Sequence, residues 1–166
     1  REIPAETMLL ELVQEVQQEG NPLIVAARVD NVLRDLQSPV GDFHVIECVD
    51  TQSEFGQRIY QRSVVFLLIM AVRELYPAAE VVVQFAAHKG LYCAIQSHPG
   101  MTENMVREIE QRMREIVVEN LPIVKKRPQR DEVVQLFKKS EQIEKANLVM
   151  SLEAETASIY YCGEFY

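Results

Sequence analysis

A run of nine apolar residues, from Val64 to Val72, constrains the fold of this chain more than any other stretch. Charged residues flank the run on both sides, and Pro77 marks the end of a helix. A helix that crosses a membrane needs about 18 consecutive apolar residues, so this run is too short and no membrane partner is expected. It predicts instead a helix, from about residue 58 to residue 77, that is buried on most sides and joins two units.

The composition is typical of a globular protein with a packed core, with 48% hydrophobic and 25% charged residues. A length of 166 residues allows one medium domain or two small ones. The three cysteines lie far apart and form no C-x-x-C motif, which favours a reducing compartment. Because no apolar signal segment follows the first residues, the sequence predicts a cytoplasmic protein.

The first 57 residues have the pattern of a small unit of one helix and short strands. Apolar residues recur at helical spacing from about residue 6, and Gly20 ends that helix. Strand-like stretches follow from Leu23 to Val29 and from Phe43 to Val49. This order predicts a β-grasp unit over residues 1–57. Only one short strand precedes the helix, so we expect the first strand of the unit to be missing.

Residues 58–166 predict a second unit, and the chain as a whole is expected to be α+β. The long helix is followed by two strand-like stretches around His88-Lys89-Gly90, a hairpin signal because glycine can adopt positive φ. An amphipathic helix, an extended stretch bounded by prolines, two short helices and a last strand complete the unit. Helices on an antiparallel sheet are the expected arrangement, and the aromatic end at Tyr166 indicates a domain truncated at its C-terminus.

The sequence offers no convincing catalytic or cofactor site. It contains neither a G-x-x-x-x-G-K-[ST] phosphate loop nor a G-x-G-x-x-G motif. His88, Cys93 and His98 are near one another in the sequence, but their spacing differs from that of zinc sites. Paired glutamates occur only on the hydrated face of the amphipathic helix, where they form no acid–base pair. We therefore predict no catalytic residue, no metal and no cofactor in this chain.

A basic segment in an otherwise acidic chain is the best candidate for contact with an anion or with RNA. Residues 1–60 contain four basic and eleven acidic residues, whereas residues 125–145 contain seven basic and four acidic residues. The candidate contacts are Lys125, Lys126, Arg127 and Arg130. No aromatic residue is interleaved with them to stack bases. The alternative is a charged edge strand that discourages aggregation.

Three phrases are distinctive in their order and spacing. They read H-K-G-L-Y-C-A-I, then M-T-E-N-M-V-R-E-I-E-Q-R-M-R-E-I-V-V-E-N-L-P-I, then E-V-V-Q-L-F-K-K-S-E-Q-I-E-K-A-N-L with I-Y-Y-C-G-E-F-Y at the end. Together they resemble the second additional domain of threonyl-tRNA synthetases. The earlier stretch from A-E-T-M-L-L-E-L through V-A-A-R-V-D-N-V-L-R-D-L resembles the TGS domain that precedes it in those enzymes. The resemblance covers essentially the whole chain.

In threonyl-tRNA synthetases this second domain removes serine that was wrongly attached to tRNA, and its signature begins with H-S-x-x-H on the long helix. The matching stretch here is R-S-V-V-F, in which Ser63 is kept but Arg62 and Phe66 replace the two histidines. Arginine cannot act as a base near neutral pH, and phenylalanine cannot exchange a proton. Cys162 lies upstream of the later Cys and His of the signature. The resemblance therefore implies a degenerate editing cleft.

The substituted helix also resembles that of bacterial uridine kinase-like (nucleoside kinase) proteins, which carry both units ahead of a P-loop kinase domain. This resemblance implies a non-catalytic accessory region that binds RNA or a small ligand. The kinase domain, which would bind ATP, would be an intramolecular partner outside this chain. The alternatives are a threonyl-tRNA synthetase-type editing domain and an interaction module without a ligand. If the chain is a non-catalytic accessory region, a cleft between the long helix and the hairpin would keep Arg62 at its mouth to bind an anionic group.

Overall fold

The computed structural model describes residues 3–42, 45–87, 90–98 and 100–166. In this part of the chain there are five α-helices and seven β-strands. The strands pair in three small antiparallel sheets, which confirms the predicted α+β class. The chain divides into two compact units, Arg1–Glu115 and Ile116–Tyr166. The domain boundary after residue 57 stays a prediction.

The first unit begins with a helix packed on a three-stranded sheet. Its elements are α1 (Leu9–Val16), β1 (Ile24–Val29), β2 (Val32–Arg34) and β3 (Ile46–Asp50). Strand β1 lies in the middle, between β2 and β3. Asp30 and Asn31 both have positive φ, a conformation that short polar side chains tolerate, and they reverse the chain between β1 and β2. Leu9 of the helix packs with Ala27 and Val29 of the sheet in one apolar core.

Helix α2 (Glu54–Leu75) contains the apolar run and contacts β1 and β3. Its buried residues are Gly56, Met70, Ala71 and Val72. The expected burial on most sides is met at the C-terminal turns, whereas Val64 is exposed and residues 65–69 are half-buried. The sequence could not indicate which face of the run is exposed to solvent, because the run contains no polar residue. None of the helices in the described residues has the length and apolar character of a membrane span.

The start of α2 is fixed to the end of β3 by a compact set of hydrogen bonds. The Ser53 hydroxyl donates to the Asp50 carbonyl oxygen at 2.7 Å and accepts from the Gly56 N–H at 3.1 Å. The Asp50 carboxylate accepts from the backbone N–H of Ser53 at 3.2 Å. Ser53 is therefore the N-cap residue of α2, and its hydroxyl satisfies one of the free N–H groups of the first turn.

A hairpin of β4 (Glu80–Ala87) and β5 (Gly90–Gln96) follows α2, as the sequence predicted. The predicted turn residues His88 and Lys89 lie outside the described residues. Val83 pairs with Cys93, and Leu91 is two residues before Cys93 on the same strand, so Val83 and Leu91 project from the same face of the hairpin. The register shifts between Val83 and Phe85, which is a β-bulge.

Helix α3 (Glu103–Glu119), whose residues up to Glu115 belong to the first unit, is tied to the end of α2 by two polar contacts. The Arg112 guanidinium lies 2.6 Å from the Glu74 carboxylate, and both side chains are largely shielded from solvent. The Tyr76 hydroxyl donates to the Glu108 carboxylate. This hydrogen bond, with a smaller contribution from burial, raises the pKa of Tyr76. The predicted amphipathic helix therefore also positions the C-terminal end of the long helix.

The second unit has an apolar core of its own. Its elements are the two-stranded ladder of β6 (Ile123–Lys126) and β7 (Ile159–Cys162), and the helices α4 (Arg130–Lys139) and α5 (Ile143–Met150). The core residues are Val133, Val134, Phe137, Ala146, Val149, Ala157 and Ile159. Tyr161 and Tyr166 pack against this core, and their ring centroids are 5.8 Å apart. The extended stretch, the two short helices and the last strand are where the sequence placed them.

Candidate functional site

A pocket of about 290 Å³ in the first unit is lined by α2 and by both strands of the β4–β5 hairpin. The helix residues that line it are Arg58, Gln61, Arg62 and Val65. Their spacing of three, four and seven residues places them on one face of the helix. Val83 and Leu91 contribute the hairpin side. The pocket therefore has polar groups from one element and apolar groups mainly from the other.

The two arginines of the pocket differ in their ionic partners. Arg58 forms an ion pair with Glu54, one turn earlier on α2. Arg62 is exposed, and in the part of the chain that the structure describes no carboxylate lies within ion-pairing distance of it. Since arginine stays protonated at any ordinary pH, Arg62 supplies the pocket with a positive charge that no described side chain neutralises. Arg62 is thus one of the residues that line the pocket, and its place at the mouth of a cleft that binds an anion stays a prediction.

The other two positions of the degenerate signature do not line the pocket. The Ser63 hydroxyl donates to the Ile59 carbonyl oxygen, one turn back on α2, at 3.2 Å. A hydroxyl held by its own helix in this way has no base in contact with it and is not an activated nucleophile. Phe66 is half-buried, one turn after Arg62. Only Arg62 of the three positions is therefore presented to a ligand in this pocket.

The described lining offers positive charge, amide groups and apolar contact, but no group that titrates near neutral pH. The Gln61 amide can both donate and accept hydrogen bonds without changing its protonation. Among the described residues, no cluster of three or more His, Cys, Asp or Glu side chains could hold a metal ion. The chemistry that these residues support is the binding of a small molecule or terminal group with both an anionic and an apolar part.

The four basic residues of the candidate RNA segment lie in the second unit and have different surroundings. The Lys125 and Lys126 ammonium groups lie over the rings of Tyr160 and Tyr161, at 5.7 Å and 4.8 Å from the ring centroids. Arg127 is exposed.

Arg130 differs from the other three because it is engaged within the unit. Its guanidinium donates to the Leu152 carbonyl oxygen at 3.0 Å and lies 3.5 Å from the Asp131 carboxylate. Arg130 therefore holds the start of α4 to the segment after α5, and the other three residues form the basic surface.

Several residues of these two sites were not found from the sequence. Arg58 and Gln61 precede the apolar run, and the spacing of four residues from Arg58 to Arg62 and from Gln61 to Val65 was the available signal. Val83 and Leu91 were unrecognised because the packing of a hairpin on a helix face has no sequence motif. The tyrosines beside Lys125 and Lys126 come from β7, more than thirty residues later, so an inspection for interleaved aromatic residues could not reveal them.

No family model matches the chain. Similar curated proteins are threonine–tRNA ligases. That of Desulforamulus reducens is 28% identical over 99% of this chain and 26% of its own length. That of Acidithiobacillus ferrooxidans is 31% identical over 85% of this chain and 22% of its own length. That of Bacillus velezensis is 30% identical over 86% of this chain and 22% of its own length.

These similarities overturn one prediction made from the sequence. The assignment to an accessory region of a uridine kinase-like protein is wrong, because the similar proteins are named threonine–tRNA ligases. The substitutions at Arg62 and Phe66 had favoured the kinase assignment, but two altered positions are weak evidence against similarity along nearly the whole chain. The chain spans about a quarter of the length of the curated relatives it matches, and it is similar over most of its own length to a region of threonine–tRNA ligases.

Proposed function

We propose that this chain binds the aminoacylated 3′ end of a tRNA in the pocket formed by α2 and the β4–β5 hairpin. The observation that carries the proposal is Arg62, a cation without a described ionic partner, on a pocket with apolar walls. The similar proteins are named as ligases that join threonine to tRNA. Their substrate and product therefore supply the two features that the pocket suits, a phosphate and a small amino acid side chain.

The pocket has the size of a terminal group. Its volume of about 290 Å³ is close to the lower limit of ligand pockets, roughly 300 Å³. A nucleoside with part of an attached amino acid fits such a volume, whereas a base-paired helix does not. Arg62 would donate to a phosphate oxygen, and the Gln61 amide would hydrogen-bond to the ribose or base. Val65 and Val83 would contact the apolar part of the ligand.

The proposal is tested with a fluorescently labelled RNA hairpin that has an unpaired 3′ end. Its terminal nucleotide carries threonine or serine through an amide bond, which resists hydrolysis. Substitution Arg62→Ala should weaken binding about tenfold to hundredfold, because a hydrogen bond to a charged group contributes about 1.5–3 kcal/mol. Arg62→Lys should recover only part of this loss, since lysine cannot bind an anion through two parallel N–H groups.

The matched control is Arg114→Ala. Arg114 is an exposed arginine of α3 that forms an ion pair with Glu110 at 2.7 Å, and its removal changes the net charge by the same amount. It should leave the affinity within about twofold. Equal binding of the aminoacylated and the free RNA, or equal losses with Arg62→Ala and Arg114→Ala, would reject the proposal.

Hydrolysis of a mischarged tRNA is a second candidate, favoured by the similarity to threonine–tRNA ligases. The described lining residues do not supply a general base, since arginine stays protonated and the glutamine amide does not titrate. The two candidates are separated by incubating the chain with seryl-tRNA and measuring the release of serine. Release above a protein-free control that is lost in Arg62→Ala would assign hydrolysis to this pocket. Binding without release would assign recognition alone.

A further inference from the structure

The β6–β7 ladder of the second unit places basic and aromatic side chains in direct register. Lys125 pairs with Tyr160 across the ladder, and the Lys125 ammonium lies 5.7 Å from the centroid of the Tyr160 ring. Lys126 lies on the opposite face, where its ammonium is 4.8 Å from the centroid of the Tyr161 ring. The two tyrosines differ in exposure: 46% of Tyr160 is accessible to solvent, whereas Tyr161 packs against the apolar core.

Tyr160 is therefore a large aromatic side chain kept at the surface beside a positive charge. An exposed ring provides a flat face for a nucleobase, and the ammonium next to it can contact the adjoining phosphate. Lys126 and Arg127 follow Lys125 directly and extend the positive charge along the strand. No acidic residue occurs from Ile123 to Arg130, although the whole chain carries a net charge of −8. The local charge is thus complementary to a phosphate backbone and opposite to that of the protein.

These features favour an unpaired strand over a duplex. In a duplex the faces of the bases are covered by their neighbours, so an exposed tyrosine has nothing to stack on. In an unpaired strand every base has a free face, and stacking on an aromatic side chain is tolerant of sequence. A short two-stranded ladder that presents one aromatic ring beside the Lys125 ammonium suits one or two nucleotides.

We infer that the face of the ladder formed by Lys125 and Tyr160 binds an unpaired segment of RNA by stacking one base on Tyr160, and that Lys126 and Arg127 add positive charge near this face. The choice of RNA rests on the proposed function, whereas the stacking surface rests on the geometry of β6 and β7 alone. This surface belongs to the second unit and shares no residue with the pocket of the first unit.

The chain contains no tryptophan, which permits a direct test of stacking. Substitution Tyr160→Trp introduces a single indole at the proposed surface. Titration with a twelve-nucleotide oligouridine should quench its fluorescence, and the affinity should equal or exceed that of the unmodified chain. Oligonucleotide binding measured by fluorescence anisotropy should weaken about tenfold in Tyr160→Ala and much less in Tyr160→Phe, because phenylalanine keeps the aromatic face.

Charge is tested with matched lysine pairs. The double substitution Lys125→Glu with Lys126→Glu should reduce oligonucleotide affinity by more than tenfold and abolish the quenching in the Tyr160→Trp background. The control pair, Lys138→Glu with Lys139→Glu, makes the same change in net charge in the last turn of α4. It should have a much smaller effect. Equal losses in both pairs, or no quenching with the unmodified lysines, would overturn the inference.

Two further measurements keep the outcomes distinct. Thermal unfolding of each variant separates loss of binding from loss of folding, and Tyr92→Ala, an exposed tyrosine on β5, controls for the removal of a surface ring. The aminoacylated RNA end is replaced by the 5′-monophosphate of 3′-amino-linked threonyl-adenosine, which keeps the phosphate proposed to contact Arg62 and is too small to reach a second surface. Its binding should depend on Arg62 and not on Tyr160. Failure of that ligand alone would reject the pocket proposal and leave the stacking surface unaffected.

Discussion

Arg62 and Ser63 are adjacent on α2 but have different relations to the pocket. Arg62 lines it, while the Ser63 hydroxyl donates a hydrogen bond to the Ile59 carbonyl oxygen of the same helix. Successive residues of a helix are rotated by about 100°, so Ser63 lies beyond the face on which Gln61, Arg62 and Val65 line the pocket. Ser63 matches the serine of the H-S-x-x-H pattern but does not line the pocket. A matching residue type does not by itself indicate a matching role.

Substitution Ser63→Ala should leave both ligand binding and any release of amino acid within about twofold of the unmodified chain. The hydroxyl makes a local hydrogen bond to a carbonyl that the helix already uses, and alanine is the better helix former. The free energy of unfolding should change by no more than about 0.5 kcal/mol. Assays of the purified variant at equal concentration check this, and a loss of activity above tenfold would show that the hydroxyl leaves its helix to reach the ligand.

Cys48 should react with iodoacetamide more slowly than is usual for a thiol that is accessible to solvent. Partial burial, and secondly the negative charge of Asp50, raise the pKa of the Cys48 thiol above its usual range. Less thiolate is then present at a given pH, so half-maximal alkylation should occur at higher pH than for a free cysteine. Asp50→Asn should move the profile to lower pH. Peptide mapping by mass spectrometry distinguishes Cys48 from Cys93 and from the buried Cys162.

The same shift determines how this thiol affects stability. A group whose pKa is higher in the folded state binds its proton more tightly there than in the unfolded chain. Its contribution is therefore complete below the pKa of the unfolded thiol, about 8.5, and is lost as the pH rises through the folded pKa. Cys48→Ser should reduce the decline of stability in this alkaline range. An unchanged decline would mean that other groups, such as Tyr76, account for it.

At the scale of elements, the start of α2 combines a local feature, the Ser53 cap, with a close contact to the end of β3. Gly56 is buried in the first turn, and a Cβ atom there would lie 1.8 Å from the Asp50 carbonyl oxygen. Helix propensity alone favours alanine over glycine by about 1 kcal/mol, so propensity would predict stabilisation. The collision with backbone outweighs it, because β3 and α2 cannot separate without breaking the Ser53 hydrogen bonds. Sequence patterns predict the helix, but they do not predict that the Asp50 carbonyl lies against its first turn.

Substitution Gly56→Ala should therefore destabilise the protein by about 3 kcal/mol, as for other overpacked sites. Ser53→Ala, which removes the N-cap, should cost about 1 kcal/mol. Gly100→Ala is the control, since nothing lies within 4 Å of a Cβ atom at Gly100. Urea denaturation followed by circular dichroism measures all three. A Gly56→Ala variant as stable as Gly100→Ala would show that β3 and α2 are further apart than described.

For the whole molecule, the periodicity of apolar residues in the sequence predicted the helices and most strands, but it did not predict how these elements pack together. The helices and most strands lie where apolar spacing and turn residues predicted them. The chain divides into compact units after Glu115, and α2 contacts β1 and β3 of the first sheet. The pocket and the Lys125–Tyr160 pair depend on residues brought together from distant parts of the chain. Neither has a spacing that could be recognised in sequence.

The two units have separate apolar cores, so a substitution that disrupts one core should destabilise that unit more than the other. Val133 is 1% exposed within the core of the second unit. Val133→Ala should cost about 2 kcal/mol through lost burial and an unfilled cavity. Amide hydrogen exchange should increase within Ile116–Tyr166 and much less around Leu9. Val118→Ala, at a position 84% exposed, is the control and should change neither. An equal increase in both units would show that they unfold as one.

The close contact of Gly56 with the Asp50 carbonyl also has a mechanical consequence. A helix whose first turn rests against a strand backbone cannot slide along its axis or rotate about it without a steric clash. Arg58 and Arg62 of the pocket are only two and six residues from this fixed point, so their backbone is held in place. For any ligand that enters the pocket, α2 is therefore a stationary wall.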